Sequence, residues 1–270
     1  MTDRTSVAVI GVGAMGEALV SGLLGAGWAP TDLALCVRRL DRGDELAHKT
    51  GCFVTTSVAE AVDGKTVIVV AVKPRDVPDV LKLLSGVVTD AQTVISLAAG
   101  VTTHTYETQL GAIPVVRAMP NTPALVREGV TGIASGSFAG PAQMDLAREV
   151  LGAVGAVRIM EESLLDAVTA VSGTGPAYVF LLAEALTEAA MREGLPRDVA
   201  ENFVHQTIRG AGHLLTDTGK SPARLRYEVT SPGGTTAAAM HVLEEKGFRA
   251  VVEDAVRAAA ERARELGGDD

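Results

Sequence analysis

Residues 6–10 form a short apolar run that leads straight into Gly11-Val12-Gly13-Ala14-Met15-Gly16, and residues 17–26 then keep a helical pattern. A strand that ends in G-x-G-x-x-G and opens a helix leaves few folds to choose from, because each glycine answers a separate demand. Gly11 makes the tight turn, Gly13 lets a pyrophosphate approach the backbone, and Gly16 lets helix and strand pack closely, with Ala14 and Met15 completing the turn. Glycine-rich βα turns without a ligand are common. The strand before and the helix after favour a dinucleotide site here.

The first half continues as strand and helix in alternation. Residues 33–37 alternate as a second strand and run into Arg38-Arg39, 22 residues after Gly16. A chain that binds NAD places Asp or Glu at about this distance, roughly 20 residues on, to hold the ribose 2′-hydroxyl. Two arginines point instead to a 2′-phosphate and so to NADP; the other reading is a solvated basic pair that opens a loop. Residues 52–55 give a third strand. Residues 66–72, TVIVVAV, give a fourth of the continuous apolar kind that a parallel sheet buries on both faces. It ends at the carboxyl edge, where open α/β sheets bind ligands, which makes Ala71, Val72, Lys73 and Pro74 candidates to line the cofactor. Residues 92–98 and 113–119 follow as strands. The second of these ends in Pro120-Asn121-Thr122-Pro123, where two prolines stiffen a loop and present Asn121 to a ligand, or simply make the loop rigid. Short strands at 130–134 and 157–160, with a helix at 142–151 between them, complete the sheet.

From residue 161 the strand period stops, and helices are expected at 162–171, 176–193, 197–215, 222–229, 232–246 and 249–266. The predicted fold is an α/β Rossmann-type parallel sheet domain over 1–160, followed by an all-α dimerisation and substrate domain over 161–270. Residues 178–191 and 200–215 are apolar on more than one face. Helices of that kind need a partner, and a homodimer with interlocked helical halves is expected.

Within the helical half, Val229-Thr230-Ser231-Pro232-Gly233-Gly234-Thr235-Thr236 reads as the opening of a helix, with Ser231 as N-cap and Pro232 in the first helical position. Gly233 and Gly234 then leave backbone N–H groups unshielded at the positive end of the helix dipole, with the hydroxyls of Thr235 and Thr236 in the same turn. A small carboxylate fits such a site. An ordinary capped helix has the same residues. Ser172-Gly173-Thr174-Gly175-Pro176 reads as a second helix start of similar design.

Composition narrows the partners. Aromatic residues are 3 % of the chain and the net charge is −9, which argues against nucleic acid and leaves an anionic substrate dependent on a local positive site. Cys36 and Cys52 have no partner at metal or redox spacing and read as core thiols in a reducing cytosol. The chain opens with Asp3 and Arg4 and no signal segment, no apolar run is long enough to span a bilayer, and a cytoplasmic location is expected. None of the five histidines pairs at ligand spacing, so no metal is expected. Glu161-Glu162 and Glu244-Glu245 read as solvated faces.

The stretches GVGAMG (11–16), AVKP (71–74), RAMPNTP (117–123), DAVTAVSGTGPAYVF (166–180) and VTSPGGTTAAA (229–239), in this order and followed by EEKGFR (244–249), resemble the pyrroline-5-carboxylate reductase family over essentially the whole chain. The resemblance implies reduction of 1-pyrroline-5-carboxylate to L-proline with NAD(P)H, the last step of proline biosynthesis, and the arginine pair makes NADPH the preferred cofactor, with NADH possible. It implies that Ser231, Gly233, Gly234 and Thr235 hold the substrate carboxylate, and that Thr236, the expected catalytic residue, hydrogen-bonds the ring nitrogen. Thr169 joins the substrate side. Gly11, Gly13, Ala14, Met15 and Gly16 would hold the pyrophosphate, with Lys73, Pro74 and Asn121 near the cofactor. It further implies a dimer assembled in many members into larger rings such as a decamer. Many members carry Asp-Asn after the third strand where this chain has Thr56-Ser57, so no contact is carried over to that loop.

A 3-hydroxy-acid dehydrogenase of the same two-domain plan needs a lysine in the helix after the domain boundary, and no lysine lies between Lys82 and Lys220. A Tyr-x-x-x-Lys reductase fails because Leu182 stands four positions after Tyr178. Two alternatives stay open: a reductase of another cyclic imine, and a non-catalytic NADP-binding protein.

Overall fold

The computed structural model describes residues 5–267; Asp3, Arg4 and the outermost ends of both expected domain ranges lie outside them. Two compact units are present, one of residues up to Thr174 with those from Ala259 onward, the other Gly175–Ala258.

The first unit is built on one sheet of eight strands in the order β3-β2-β1-β4-β5-β6-β7-β8: β1 (Val7–Ile10), β2 (Leu33–Cys36), β3 (Phe53–Thr55), β4 (Val67–Val70), β5 (Thr93–Ser96), β6 (Val115–Met119), β7 (Gly129–Ser135) and β8 (Gly155–Ile159). The first six are parallel. β7 pairs antiparallel with β6, and β8 parallel with β7, so the last two strands run against the rest of a sheet that is otherwise parallel, as expected from sequence. The link from β6 to β7 holds only a 3-10 turn, Thr122–Val126, whereas a parallel return needs a crossover of roughly a dozen residues or more.

Helices α1 (Ala14–Gly25), α2 (Leu40–Thr50), α3 (Val58–Val62), α4 (Val77–Leu84), α5 (Thr103–Leu110) and α6 (Pro141–Gly152) accompany the strands. Successive strand residues point to opposite faces, so a sheet covered on both sides needs unbroken apolar strands. β4 meets that need with VIVV, every residue buried. On one face Leu19 and Leu23 of α1 and Val150 and Leu151 of α6 pack on Val7, Val9, Leu33, Leu35, Val67 and Val69. On the other, Val62, Leu81, Leu84 and Tyr106 from α3, α4 and α5 pack on Ala8, Ile10, Ile68, Val70 and Val115. Each fully buried Leu or Val contributes about 1.5–3 kcal/mol. α1 seats close to its neighbours through glycine. A Cβ at Gly16 would stand 2.6 Å from the Gly11 carbonyl oxygen, and one at Gly22 would strike the Val154 side chain.

Residues after 161 do not leave the sheet at once. A 3-10 turn (Glu162–Leu164), α7 (Leu165–Val168) and a π-turn (Thr169–Gly173) follow, with Leu165 fully buried. Arg117, in β6, is 7 % exposed and reaches Glu162 at 3.4 Å and Asp166 at 3.0 Å. Glu162 also accepts the backbone N–H of Thr103 at 2.8 Å and its hydroxyl at 2.7 Å. Glu162 is therefore an anchor and not the solvated residue expected. The change of period falls at 161, and the compact units part later, between Thr174 and Gly175, because this wiring keeps the intervening turn on the sheet.

The second unit holds α8 (Gly175–Arg192), α9 (Arg197–Asp217), α10 (Pro222–Glu228), α11 (Thr235–Glu245) and most of α12 (Phe248–Gly267). Ala200, Val204 and Thr187 are buried within it, while Val179, Phe180, Leu181, Phe203 and Leu214 are exposed. The helical run Glu162–Arg192, mean hydropathy 1.3 over its most apolar window, has the length and composition to cross a membrane, as helices that pack within a protein also can. Its first part is spent on Arg117 and the sheet, and the remainder is α8, which exposes Val179, Phe180, Leu181 and Leu186.

Candidate active site

In the sheet unit, β1 lies between β2 and β4, and the chain moves outward through β2 and β3 before crossing back to β4. The carboxyl end of β1 is thus the switch point at which open α/β sheets bind ligands. Gly11 takes φ +89°, a conformation that a side chain would strain, and a Cβ there would also stand 2.5 Å from Val72 Cγ1 and 3.1 Å from the Ala71 carbonyl. The turn is pinned on both sides: Gly11 N–H donates to Cys36 O at 3.0 Å, and Ala71 N–H donates to Ile10 O at 2.8 Å.

Gly13 is the N-cap of α1, with extended backbone and no side chain capping the helix. The first intrahelical bond runs from Glu17 N–H to Gly13 O, which leaves the N–H groups of Ala14, Met15 and Gly16 without helical partners. A Cβ at Gly13 would meet nothing within 4 Å. An open cradle in front of three free N–H groups at the positive end of a helix fits a pyrophosphate. The nearby carboxylate of Glu17 is held by Lys49 at 2.5 Å and by Arg42, both from α2. The Lys49 hydrogen bond and the Arg42 charge keep that carboxyl below its usual range, so its charge is matched inside the protein.

The other sequence candidates of this unit fall around the same edge. Arg38 follows β2 and pairs with Asp76 at 3.0 Å; Arg39 is exposed and pairs with Asp41 at 3.5 Å. Lys73 and Pro74 follow β4, Lys73 exposed and its carbonyl closing the 3-10 turn Pro74–Asp76 through Asp76 N–H. Asn121 does not present its amide to open space. Its Nδ2 donates to Ser172 O at 3.2 Å and its Oδ1 accepts Val130 N–H at 2.9 Å, so the side chain joins the β6 loop, the π-turn and β7. Ser57 caps α3 by accepting Glu60 N–H at 3.3 Å, a local role that accounts for a serine there. Thr169 opens the π-turn: its hydroxyl donates to Leu165 O at 2.9 Å, and its carbonyl accepts both the N–H and the hydroxyl of Thr174. The stretch 172–176 therefore closes the π-turn at Gly173 and, after Thr174, opens α8 at Gly175 with Pro176 in its first turn, the helix start read from sequence. Sequence reasoning missed Arg117, Glu162 and Asp166. A lone Arg inside the apolar strand VVRAM was the available signal, since a buried cation requires carboxylate partners.

In the helical unit, the stretch expected to bind an anion forms a turn, with its helix beginning later than predicted. α11 starts at Thr235, its N-cap is Gly234, and no side chain caps it. Ser231-Pro232-Gly233-Gly234 is a β-turn closed by Gly234 N–H to Ser231 O at 3.1 Å, with Gly233 at φ +69°. Pro second and Gly third suit a turn that needs a positive φ at its third residue, so Ser231 is the turn's first residue and not a helix cap. The Ser231 hydroxyl lies where a Cβ on Gly234 would stand. The first helical bond is Ala238 N–H to Gly234 O, so the N–H groups of Thr235, Thr236 and Ala237 lack helical partners. Ser231, Gly233 and Thr235 are exposed, and Gly234 and Thr236 half-buried. At the far end of α11, Glu244 lies exposed, as expected of a solvated face, and there binds Arg226 of α10 at 3.1 Å and Arg249 of α12 at 2.7 Å. The Arg249 guanidinium holds its carboxyl below the usual range. No cluster of three or more His, Cys, Asp or Glu able to hold a metal occurs among the described residues.

Residues 162–266 match the family model for pyrroline-5-carboxylate reductase dimerisation, and residues 6–100 match that for coenzyme F420-dependent NADP oxidoreductase. The chain is 44 % identical to pyrroline-5-carboxylate reductase of Mycobacterium tuberculosis over 96 % of each chain, and 42 % identical to that of Corynebacterium melassecola over 97 % of this chain and 99 % of the relative. Among solved structures it is similar to pyrroline-5-carboxylate reductase from Coxiella burnetii, with TM-score 0.92 and 39 % identity, covering 99 % of this chain and 100 % of that one. The Plasmodium falciparum enzyme, solved with NADP bound, gives TM-score 0.88 and 29 % identity over 99 % and 100 %. With a sheet unit whose switch point fits a dinucleotide, a helical unit with an uncapped helix start at Thr235, and these likenesses along its full length, the chain belongs to the pyrroline-5-carboxylate reductase family.

Proposed function

We propose that the glycine turn of the sheet unit and the Ser231–Thr236 turn of the helical unit are the cofactor and substrate sites of one reaction. The chain is an NAD(P)-dependent oxidoreductase that reduces the C=N bond of 1-pyrroline-5-carboxylate to give L-proline. The N–H groups of Ala14, Met15 and Gly16 and the open backbone at Gly13 hold the pyrophosphate, Ala71, Val72, Lys73 and Pro74 line its side, and Arg38 and Arg39 favour NADPH over NADH. Bound NADPH supplies the hydride. Asn121 and Thr169 shape the wall between the sheet edge and the π-turn. Ser231, Gly233, Gly234 and Thr235 bind the carboxylate through one hydroxyl and backbone N–H groups.

A cyclic imine is basic enough to be partly protonated near neutral pH, and the iminium accepts hydride at carbon without a strong general acid. Position and electrostatics are what the protein must supply. Thr236, at the second position of α11, accepts the N–H of the iminium and orients the ring. The observation that carries this reading is the uncapped start of α11 with the Ser231 hydroxyl folded over Gly234.

Cofactor binding is assigned to residues 1–160 and dimerisation with substrate binding to 161–270. The apolar side chains that α8 and α9 expose support a homodimer, and the family likeness supports its assembly into larger rings such as a decamer, in the cytoplasm. Oxidation of NADPH and of NADH by purified protein, with and without 1-pyrroline-5-carboxylate, tests the function. Oxidation that depends on this substrate supports it; turnover of a different cyclic imine alone, or of none by folded protein, refutes it.

A further inference from the structure

The end of β2 lacks the acidic residue that a NAD-binding chain uses for the ribose 2′-hydroxyl, yet a carboxylate from the loop after β4 pairs with the arginine that stands there. Arg38 leaves the carboxyl end of β2, and Asp76 ends the 3-10 turn that follows β4. β2 and β4 flank β1, so these loops stand on either side of the glycine turn, and the Arg38–Asp76 pair at 3.0 Å bridges them. Asp76 is also the N-cap residue of α4. An aspartate there ordinarily accepts a backbone N–H of its own helix; this one makes no such bond and turns to Arg38 instead. Its side chain is 26 % exposed against 76 % for Arg38, so the carboxylate is the more fixed of the two.

We propose that Asp76 is a specificity-determining residue that lets one site accept both NADH and NADPH. This rests on the reading that Arg38 faces the adenosine ribose. With a 2′-hydroxyl in place, Asp76 accepts its hydrogen bond while Arg38 stays paired to the other carboxylate oxygen. With a 2′-phosphate in place, Arg38 swings to the phosphate, and Asp76 sets a negative charge beside it. The same carboxylate thus favours NADH and penalises NADPH.

The test is equilibrium binding of NADPH and NADH, read by nicotinamide fluorescence without substrate, in wild type, Asp76→Ala, Asp76→Asn and Arg38→Ala, each first checked for an unchanged melting temperature. A hydrogen bond to a charged group corresponds to about tenfold or more in affinity. Asp76→Ala is expected to weaken NADH by about tenfold and leave NADPH equal or tighter. Asp76→Asn, which keeps an acceptor and loses the charge, is expected to tighten NADPH and keep part of the NADH affinity. Arg38→Ala is expected to weaken NADPH and spare NADH. If Arg38→Ala behaves so and Asp76→Ala leaves NADH unchanged, the role of Asp76 falls and the reading of Arg38 stands. An unchanged NADPH-to-NADH ratio in Arg38→Ala overturns both.

Discussion

Replacing Gly13 by alanine separates what the glycine turn does for the fold from what it does for the ligand. Gly13 has φ −84° and ψ −164°, extended backbone that alanine adopts without strain, and its Cβ would meet no protein atom within 4 Å. Two small effects on stability oppose each other. Alanine is the poorer N-cap by about 0.5–1 kcal/mol, and the loss of glycine's freedom in the unfolded chain returns about 0.4–1 kcal/mol. The net change is within about 0.5 kcal/mol, a shift in melting temperature of no more than roughly 2 °C for a chain of this size. The new methyl group occupies the cradle in front of the free N–H groups, so NADPH affinity is expected to fall by at least about tenfold, or roughly 1.4 kcal/mol. Gly16→Ala is the contrast: its Cβ stands 2.6 Å from the Gly11 carbonyl oxygen, and such overpacking costs about 1–3 kcal/mol before any ligand is present. Thermal unfolding without cofactor and NADPH titration by fluorescence are the two measurements. Wild-type affinity in Gly13→Ala would refute the cradle, and a loss of several degrees in its melting temperature would refute the open space drawn around it.

Three further outcomes follow from the contacts described. Thr236→Ala is expected to lower kcat with little change in the NADPH dissociation constant, and equal loss in both would remove Thr236 from the ring nitrogen. Arg117→Met leaves Glu162 and Asp166 facing a buried position without their cation, and is expected to lose about 3–5 kcal/mol in urea unfolding; a loss under about 1 kcal/mol would show that the pair is not structural. The Glu17 carboxyl is held below its ordinary value of 4.5 in the folded chain, so its contribution is present above that value and disappears as pH falls through the lowered one. Wild type is therefore expected to lose more stability than Glu17→Gln when unfolding is compared at neutral and at acid pH, and equal losses would sink the coupling to Lys49 and Arg42.

The sheet up to β6 and the glycine turn were legible because apolar period and glycine spacing are local properties, and so was a glycine-rich turn opening a helix near residue 231. Its geometry was less so. Ser-Pro suits a helix cap and first turn, Pro-Gly suits a β-turn, and the second rule prevailed because Gly233 takes a positive φ that no helix accommodates. The π-turn at Thr169–Gly173 has no sequence period of its own, and its stability comes from Asn121 and Thr174, one of them far away in the chain. Glu162, Glu244 and Asp76 all look like ordinary surface acids in sequence. Each acquires its meaning from a cation on another element, which only the tertiary fold supplies.

The glycines of α1 bear on the order in which the molecule becomes competent. Gly16 and Gly22 each lower helix propensity by about 1 kcal/mol relative to alanine, so α1 has little reason to form by itself in a chain still searching for its fold. It becomes a helix when the sheet and the Val154 segment are there to receive it. The glycine turn at the start of α1 thus takes shape only with the finished sheet, and a cofactor bound there would favour completed molecules over partly folded ones.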